Sequence, residues 1–557
     1  MSQSVSGTSL ATTAAATHRT VAYRLYIGWG VTSWPAAWGA QCEDETARLL
    51  NVTWSRQLDF EPMGVGRGPM AELTLTLDNR DQRLSPYNTA SPIYSKLIGT
   101  TTTAGGIAVT YPRLFHVPVR LEMGFFNSTA EAEALWETGS SITYDGTDVL
   151  LFESISPEYI TVFSGVVEDP GENYGLAGDK VTLRCLDRGA VLANRKTSSE
   201  IFTDQRADQW LGYLVDNVCG ISDGVLDYST LTIPYCWLDD ESVWTECQQA
   251  AGAVGGYFFM DELGVPQFRT ATWWATASDS TSSQWTFTVA KFADLSPSYD
   301  WRAVATGAIV EYQQRAPGGE QVVWRSDNPI IIPPGEKLVQ ARLSWPCTSL
   351  ISPVVDTDWT PVNGGGIPLD AYVTMSLQDR NAQRVTIRFY NNGTQTAFVP
   401  TCQVRGRVLV GGPTEEIEKT AAVDFIPNKN VLRYTGNAYI QTKAQADLLG
   451  VITLERMQYP RLTYRLSGVR AVPWLQLGDR ITIDVASPGI TDTTTPFSAA
   501  RDAIVTGLDF AYAPDQAFLM TVTAIDATAT LPYSDYFVIG TNRYNQSGGT
   551  GAGRTFV

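Results

Sequence analysis

Apolar and polar residues alternate with a period of two along most of the chain. In residues 180–189, Val181, Leu183 and Cys185 fall on one face while Lys180, Thr182 and Arg184 fall on the other. Residues 383–394 repeat the pattern with Val385, Ile387 and Phe389, then reach Asn392-Gly393, a hairpin signal. Residues 479–485 do so again with Ile481, Ile483 and Val485. These stretches predict half-buried strands of antiparallel sheets. Helical spacing is confined to three short segments. Residues 203–220 carry a stripe of Ala207, Leu211, Leu214 and Val218 between an expected N-cap at Thr203 and a stop at Gly220. Residues 242–256 place Val243, Cys247, Ala250 and Val254 on one face and run into an expected hairpin turning near Glu262, Leu263 and Gly264. Residues 442–457 open on the capping box Thr442/Gln445. None sustains heptads, which argues against a coiled-coil oligomeriser. The fold class read from this pattern is mainly β with short helices, a β-rich α+β chain.

A length of 557 residues predicts several domains. The expected division is a flexible N-terminal arm (1–20), a β domain with inserted loops (21–195) and a small α+β helix-hairpin domain (196–300). A loop-rich β domain (301–430), a second β domain (431–540) and a flexible tail (541–557) follow. The arm and tail are built from Ser, Thr, Ala and Gly, which cannot bury a core alone. Residues 100–106 read as a low-complexity loop and 124–160 as an insertion, and the Pro- and Gly-rich stretch 316–370 as loop-laden. No internal repeat is visible in the sequence.

Composition narrows the functional classes. Hydrophobic content of 44% suits ordinary globular cores. The net charge of −18 argues against a dedicated nucleic-acid binder, which needs a basic face. Acidity for solubility is the simplest reading, and a surface past which DNA slides is compatible with it. The seven cysteines lack C-x-x-C spacing, so they read as reduced, buried thiols of a cytoplasmically made protein. No signal-peptide pattern and no apolar run long enough for a membrane span are seen.

Candidate chemistry is sparse. The chain has two histidines, His18 and His116, so a His-assisted nucleophile would have to rest on His116 in a strand-like segment. Asp239, Asp240 and Glu241 could serve as paired carboxylates, but they stand just before an expected helix and read better as capping acids. The stretch LTLDNRDQRLSPYNTASPIY offers Asp78, Asn79 and Asp81 as cation ligands yet lacks the order of a calcium loop. A structural corner explains it better. Asp and Asn bond their own backbone, Pro86 and Pro92 hold Ser85 and Ser91 extended, and Arg80 and Arg83 can pair with the acids. Catalytic, cofactor and metal residues are therefore expected to be none.

The same stretch resembles a segment of minor tail proteins of long-tailed bacteriophages. In that family a Leu/Thr strand is followed by D-N-x-D-G-R-[FY]-[ST]-P and a second S-P-[LI]-Y. Asp78, Asn79, Asp81, Arg83, Ser85, Pro86, Ser91, Pro92, Ile93 and Tyr94 fall on this pattern, with Tyr87 behind the first proline and Gln82 where glycine is usual. Further pieces follow in order: 117–121 resembles the P-V-R-L strand, 163–169 the F-x-G strand through Gly165, and 181–188 the strand ending in Asp187-Arg188. The helix and hairpin at 242–270, the L-G-D segment with Gly478-Asp479, and the closing hairpin at 504–526 complete the series.

The resemblance implies a structural, non-enzymatic tail-tip (baseplate) hub. Such proteins carry domains related to the tail-tube subunit, here 21–195 and 431–540, and assemble as homotrimers presenting six tube-like modules. Implied partners are tail-tube or distal tail ring proteins, the tape-measure protein, tail-fibre or receptor-binding proteins, and DNA in transit through the lumen. The implied location is the virion tail tip, after assembly in the host cytoplasm. Two other readings are a distal tail ring protein, disfavoured by the extra region at 200–540, and a carbohydrate-binding or glycan-cleaving β-protein suggested by 16 tryptophans. Trp210 and Trp244 lie on helical patterns and read as core instead.

Overall fold

Most period-two stretches become strands. The structure, a computed structural model, describes residues 10–15, 21–31, 33–58, 68–85, 87–94, 100–104, 107–111, 116–125, 157–173, 179–299, 304–421, 430–458, 462–485, 500–512 and 519–527. Strands dominate and helices are short. Val181, Leu183 and Cys185 are buried on one face of their strand, and Ile481 and Ile483 on theirs, because only one face of each meets the core.

Twelve strands position everything else. The first six are β1 (Val21–Ile27), β2 (Leu49–Gln57), β3 (Glu72–Asp78), β4 (Val117–Phe125), β5 (Glu158–Asn173) and β6 (Lys180–Asp187). The second six are β7 (Ser283–Thr288), β8 (Asp294–Tyr299), β9 (Leu462–Arg470), β10 (Arg480–Asp484), β11 (Arg501–Tyr512) and β12 (Leu519–Asp526). The first module pairs in the order β1-β4-β5-β6-β3-β2, and the second in the order β7-β10-β11-β12-β9-β8. The same topology thus occurs twice, strand for strand in chain order, contrary to the repeat-free reading of the sequence. Even a register irregularity recurs. Val167↔Cys185 is followed by Asp169↔Arg184, and Val505↔Ala524 by Gly507↔Thr523, so β5 and β11 bulge at matching points. Aligned there, Asp187 corresponds to Asp526. The modules differ in strand direction at one edge: β1 runs antiparallel to β4, whereas β7 runs parallel to β10.

The modules share one sheet. β11 is long enough to pair with β10 through residues 501–504 and with β2 through residues 507–512. Their buried side chains form one hydrophobic core.

The three expected helices form, the first with a later start. Ala207, Leu211 and Leu214 are fully buried and Gly220 has φ +69, as a helix stop requires. Thr203, however, lies in the strand Phe202–Arg206, which pairs with Thr232–Cys236, so the helix begins at Ala207. The helix Val243–Gly252 leads into the hairpin Tyr257–Met260/Pro266–Arg269 with Gly264 at φ +75. Thr442 and Gln445 cap the helix Lys443–Met457 reciprocally.

Four further expectations are corrected. Residues 100–104 form a strand paired with Ile107–Tyr111, since Thr suits an extended backbone. Ala316-Pro317-Gly318-Gly319 lies inside one long strand, Gly307–Arg325, which absorbs them through register shifts against Gln403–Thr420. Asn392-Gly393 does not close a two-strand hairpin. The strand before it, Arg384–Asn391, lies between Gly335–Arg342 and Val373–Gln378, and the strand after it, Ala397–Val399, joins Ile330–Ile332. Within the expected N-terminal arm, Leu10–Ala15 is a short helix whose Leu10 and Ala14 are buried in the main core, because positions i and i+4 share a face. Most of the expected insertion at 124–160 and the tail from 541 lie outside the described residues.

Candidate functional site at the module seam

The seam is built from the middle of β11. Leu58 N donates to Thr506 O at 2.7 Å, while Gly478 N donates to Val505 O at 2.8 Å and Val505 N donates to Asp479 O at 2.9 Å. Consecutive residues of one strand therefore hold the end of β2 on one side of the split and the approach to β10 on the other. Val52, Trp54 and Arg56 share the inward face of β2, with Leu58 just beyond its end, and this sends a guanidinium into the core.

Arg56 finds partners there. Its Nη1 donates to Glu262 Oε2 at 3.0 Å and its Nη2 to Met260 O at 2.6 Å, with both charged side chains about 5% exposed or less. Gln476 Nε2 donates to the other Glu262 oxygen, and Gln476 N donates to Asp479 Oδ2 at 2.9 Å. Asp187 accepts from Ala71 N at 2.7 Å and Gly189 N at 2.8 Å. Arg188 pairs with Asp223 at 3.0 Å, donates to Gly264 O and lies 4.3 Å over the Trp34 ring. Strand β2, the 257–269 hairpin and the 476–479 turn thus meet in one buried polar network.

The motif residues singled out from sequence take defined places around it. Gly165 sits where a Cβ would lie 2.1 Å from Leu186 O, so only glycine permits β5 and β6 to approach there. Gly478 has φ +91, and a Cβ would meet Trp273 Cη2 at 2.2 Å, so both backbone and space demand glycine. Asp187, Arg188 and Asp479 flank the hairpin. Arg56, Glu262 and Gln476 escape motif reading; the available signal was a charged residue at a core-facing position of an alternating strand.

The corner at 78–94 stands apart from the seam. Asp78 Oδ1 accepts from Arg80 N at 3.1 Å, and Asn79 Oδ1 accepts from Leu84 N at 2.8 Å. Arg48 Nη1 donates to Asp81 Oδ1 at 2.8 Å, and Arg83 pairs with Glu45 at 2.6 Å and with Glu43. Arg48 holds the Asp81 carboxyl low, at about 2. Gln82 has φ +57, the left-handed angle that explains the usual glycine. Ser85 Oγ accepts from Tyr87 N and Ser91 Oγ from Ile93 N, which turn the chain after each serine. Tyr87 is exposed, Tyr94 is half-buried beyond Pro92, and Pro86 lies outside the described residues.

Among the described residues, the candidate chemical groups lie apart from one another. His116 Nε2 is 3.1 Å from Asn194 Nδ2, and burial lowers the imidazole pKa. Asp239–Ser242 is a strand rather than a capping segment, and Ser242 makes no side-chain cap bond to the following helix. Asp239 pairs with Arg342 at 3.0 Å and Asp240 with Arg384 at 2.8 Å, tying the β region at 307–420, inserted between β8 and β9, to the helix-hairpin region. Trp210 and Trp244 are core residues. The seven cysteines are free, and five of them are buried. No group of three metal-ligating side chains occurs among the described residues, and no helix there is long and apolar enough to cross a membrane.

Comparison with solved structures finds tail proteins. The chain is similar to the tail protein from Neisseria meningitidis MC58 at 7% identity, over 90% of this chain and 96% of that one, with a TM-score of 0.45. It is also similar to the 43 kDa tail protein of prophage MuSo2 from Shewanella oneidensis, at 10% identity over 92% and 99% of the two chains, TM-score 0.43. A third is an E. coli component of the type VI secretion system, said to resemble T4 bacteriophage tail proteins, at 11% identity over 90% and 76%, TM-score 0.35. No protein-family model matches the sequence, and no curated protein sequence matches it.

Two outcomes follow from the buried charges. Arg56→Met strands the Glu262 carboxylate and is expected to cost roughly 3–5 kcal/mol, with Arg56→Met/Glu262→Gln recovering most of it. Urea denaturation measures both, and a double variant no better than the single contradicts the pairing. The second concerns pH. Burial raises Asp187 to about 6 and Glu246, which accepts from the Tyr439 hydroxyl, to about 7. The folded chain then holds more protons than the unfolded one between about pH 4 and 7, so stability falls as pH rises through that window. The melting temperature should be higher at pH 5 than at pH 8, and Glu246→Gln should narrow the difference. A difference unchanged by that substitution contradicts the assignment.

Proposed function

We propose that this chain is the tail-tip hub of a long-tailed bacteriophage, a structural protein that continues or caps the tail tube. The observation that carries this reading is the duplicated six-strand module joined in one sheet. A chain with two near-equivalent modules matches a sixfold tube when three copies close into a ring. The ordered motif series from the 78–94 corner to the closing hairpin supports the same reading. The hub would dock tail-tube or distal tail ring proteins, the tape-measure protein and tail-fibre or receptor-binding proteins, and pass DNA through its lumen. Three chains at −18 each carry −54, and acidic walls repel phosphate rather than bind it. Its role is structural rather than enzymatic, and its place is the virion.

The corner at 78–94 is structural in this reading. Asp78→Ala with Asp81→Ala should destabilise the chain by about 1 kcal/mol per turn bond lost, read by thermal denaturation, and calorimetric titration of the parent chain with calcium should show no binding. Stoichiometric calcium binding that the double substitution abolishes contradicts it.

Mass measurement of the full chain across a salt series tests the hub itself. Screening weakens repulsion between acidic copies, so a three-chain species should grow as salt rises. A chain that is monomeric or six-membered throughout contradicts the proposal.

A further inference from the structure

The duplication assigns the interface between copies. Within one chain, the modules join because the edge strand of the first, β2, pairs with the outer half of β11 in the second. Module for module, β2 corresponds to β8, and β11 corresponds to β5. If the same joint recurs between chains, β8 of one copy meets β5 of the next.

Among the described residues, both edges are open for it. β5 pairs, among the described residues, with β4 through residues 158–167, and its residues 169–173 continue along β6 without a second partner strand. This repeats β11, whose residues 501–504 pair with β10 while 507–512 take β2 on that same side. β8 pairs with β9 and, among the described residues, with no other strand. Long unpaired edges are templates for another chain.

We propose that β8 of one copy pairs antiparallel with residues 169–173 of β5 in a second copy of this chain, head to tail. The proposal rests on the hub reading only for the number of copies. The register follows from the matched bulges. Ser55↔Glu72 corresponds to Ser298↔Thr463, and Ser55↔Asp509 joins the modules. Asp509 in turn corresponds to Gly171, because Asp509↔Thr521 and Gly171↔Thr182 are the third pairs beyond their bulges. Ser298 therefore faces Gly171 of the neighbour, Pro297 faces Glu172, and Tyr299 faces Pro170.

Hydrogen bonding in this register is weaker than at the internal seam. The Leu58 N to Thr506 O bond makes 58/506, 56/508 and 54/510 the hydrogen-bonded pairs, by alternation. Their counterparts are Tyr299/Pro170 and Pro297/Glu172, each with one proline that lacks an N–H but keeps its carbonyl. Each pair keeps one of its two bonds. Edge prolines also deter indiscriminate pairing. Asp294 on β8 and Glu168 and Asp169 on β5 add like charge, so this joint forms with the help of salt.

A non-hydrogen-bonded antiparallel pair sets Cα atoms roughly 4.5 Å apart, within disulfide reach. A Cβ at Gly171 meets nothing closer than Thr182 O at 3.6 Å, and Ser298 is exposed, so cysteine fits both positions. The test is mild oxidation of the full chain carrying Ser298→Cys and Gly171→Cys at high salt, read on a non-reducing gel. Covalent species of two and three chains are expected, with none from either single substitution or from Ser296→Cys/Gly171→Cys. Hydrogen exchange of the unsubstituted chain gives a second readout: amides of 294–299 should slow on assembly. A cyclic oligomer that neither cross-links nor protects these amides overturns the joint and leaves the hub reading standing. A ladder running past three chains supports the joint and overturns the threefold reading. A chain that stays monomeric overturns both.

Discussion

Strand β11 can offer each outward backbone group only once, and two strands compete for the same side of it. The division at Val505 and Thr506 settles that competition, giving one half to β10 and the other to β2. Because β2 and β10 both take their register from one strand, the two modules are fixed relative to each other. A one-residue slip of β2 would turn Trp54 and Arg56 to the other face, away from the core and from Glu262. The buried ion pair and the seam therefore enforce each other. The pair has little value as net stabilisation, since desolvating two charges offsets much of their attraction, but its loss on one side is costly.

The regions between the modules attach through charge and close packing. The 257–269 hairpin reaches both modules through Glu262, Gly264 and Met260. The inserted β region meets the helix-hairpin region through Asp239–Arg342 and Asp240–Arg384. Those pairs are partly exposed, and exposed pairs contribute little each. The modules are joined by a backbone ladder and a buried ion pair, whereas residues 307–420 add these exposed pairs to the burial of Val310 and Tyr312 beside the helices.

Much of this was legible in the sequence, for physical reasons. Period-two burial marked β6 and β10, and the capping box marked the helix at 443–457, because these signals are local. Gly165 and Gly478 stood out as motif residues, and the crowded Leu186 carbonyl and Trp273 ring show why no side chain is tolerated. What stayed hidden was long-range. Two tube-like domains were expected from the resemblance alone, and β7 and β8 fell in the expected helix-hairpin domain at 196–300, since alternation fixes a strand's faces but not its neighbours. Asp187 and Asp526 are one of the few matched identities. Asp239 and Asp240 read as capping acids because their arginine partners lie more than 100 residues away. Asn392-Gly393 has the composition of a hairpin turn, yet the strands on either side belong to different sheets.

As the proposed hub, one chain supplies two equivalent segments of a ring. Electron-microscopic class averages of the isolated oligomer, viewed down its axis, test it most directly. The account predicts six similar lobes around a central channel with threefold symmetry, the inserted regions marking alternate lobes. A twofold particle, or a ring in which each chain supplies a single lobe, would contradict it.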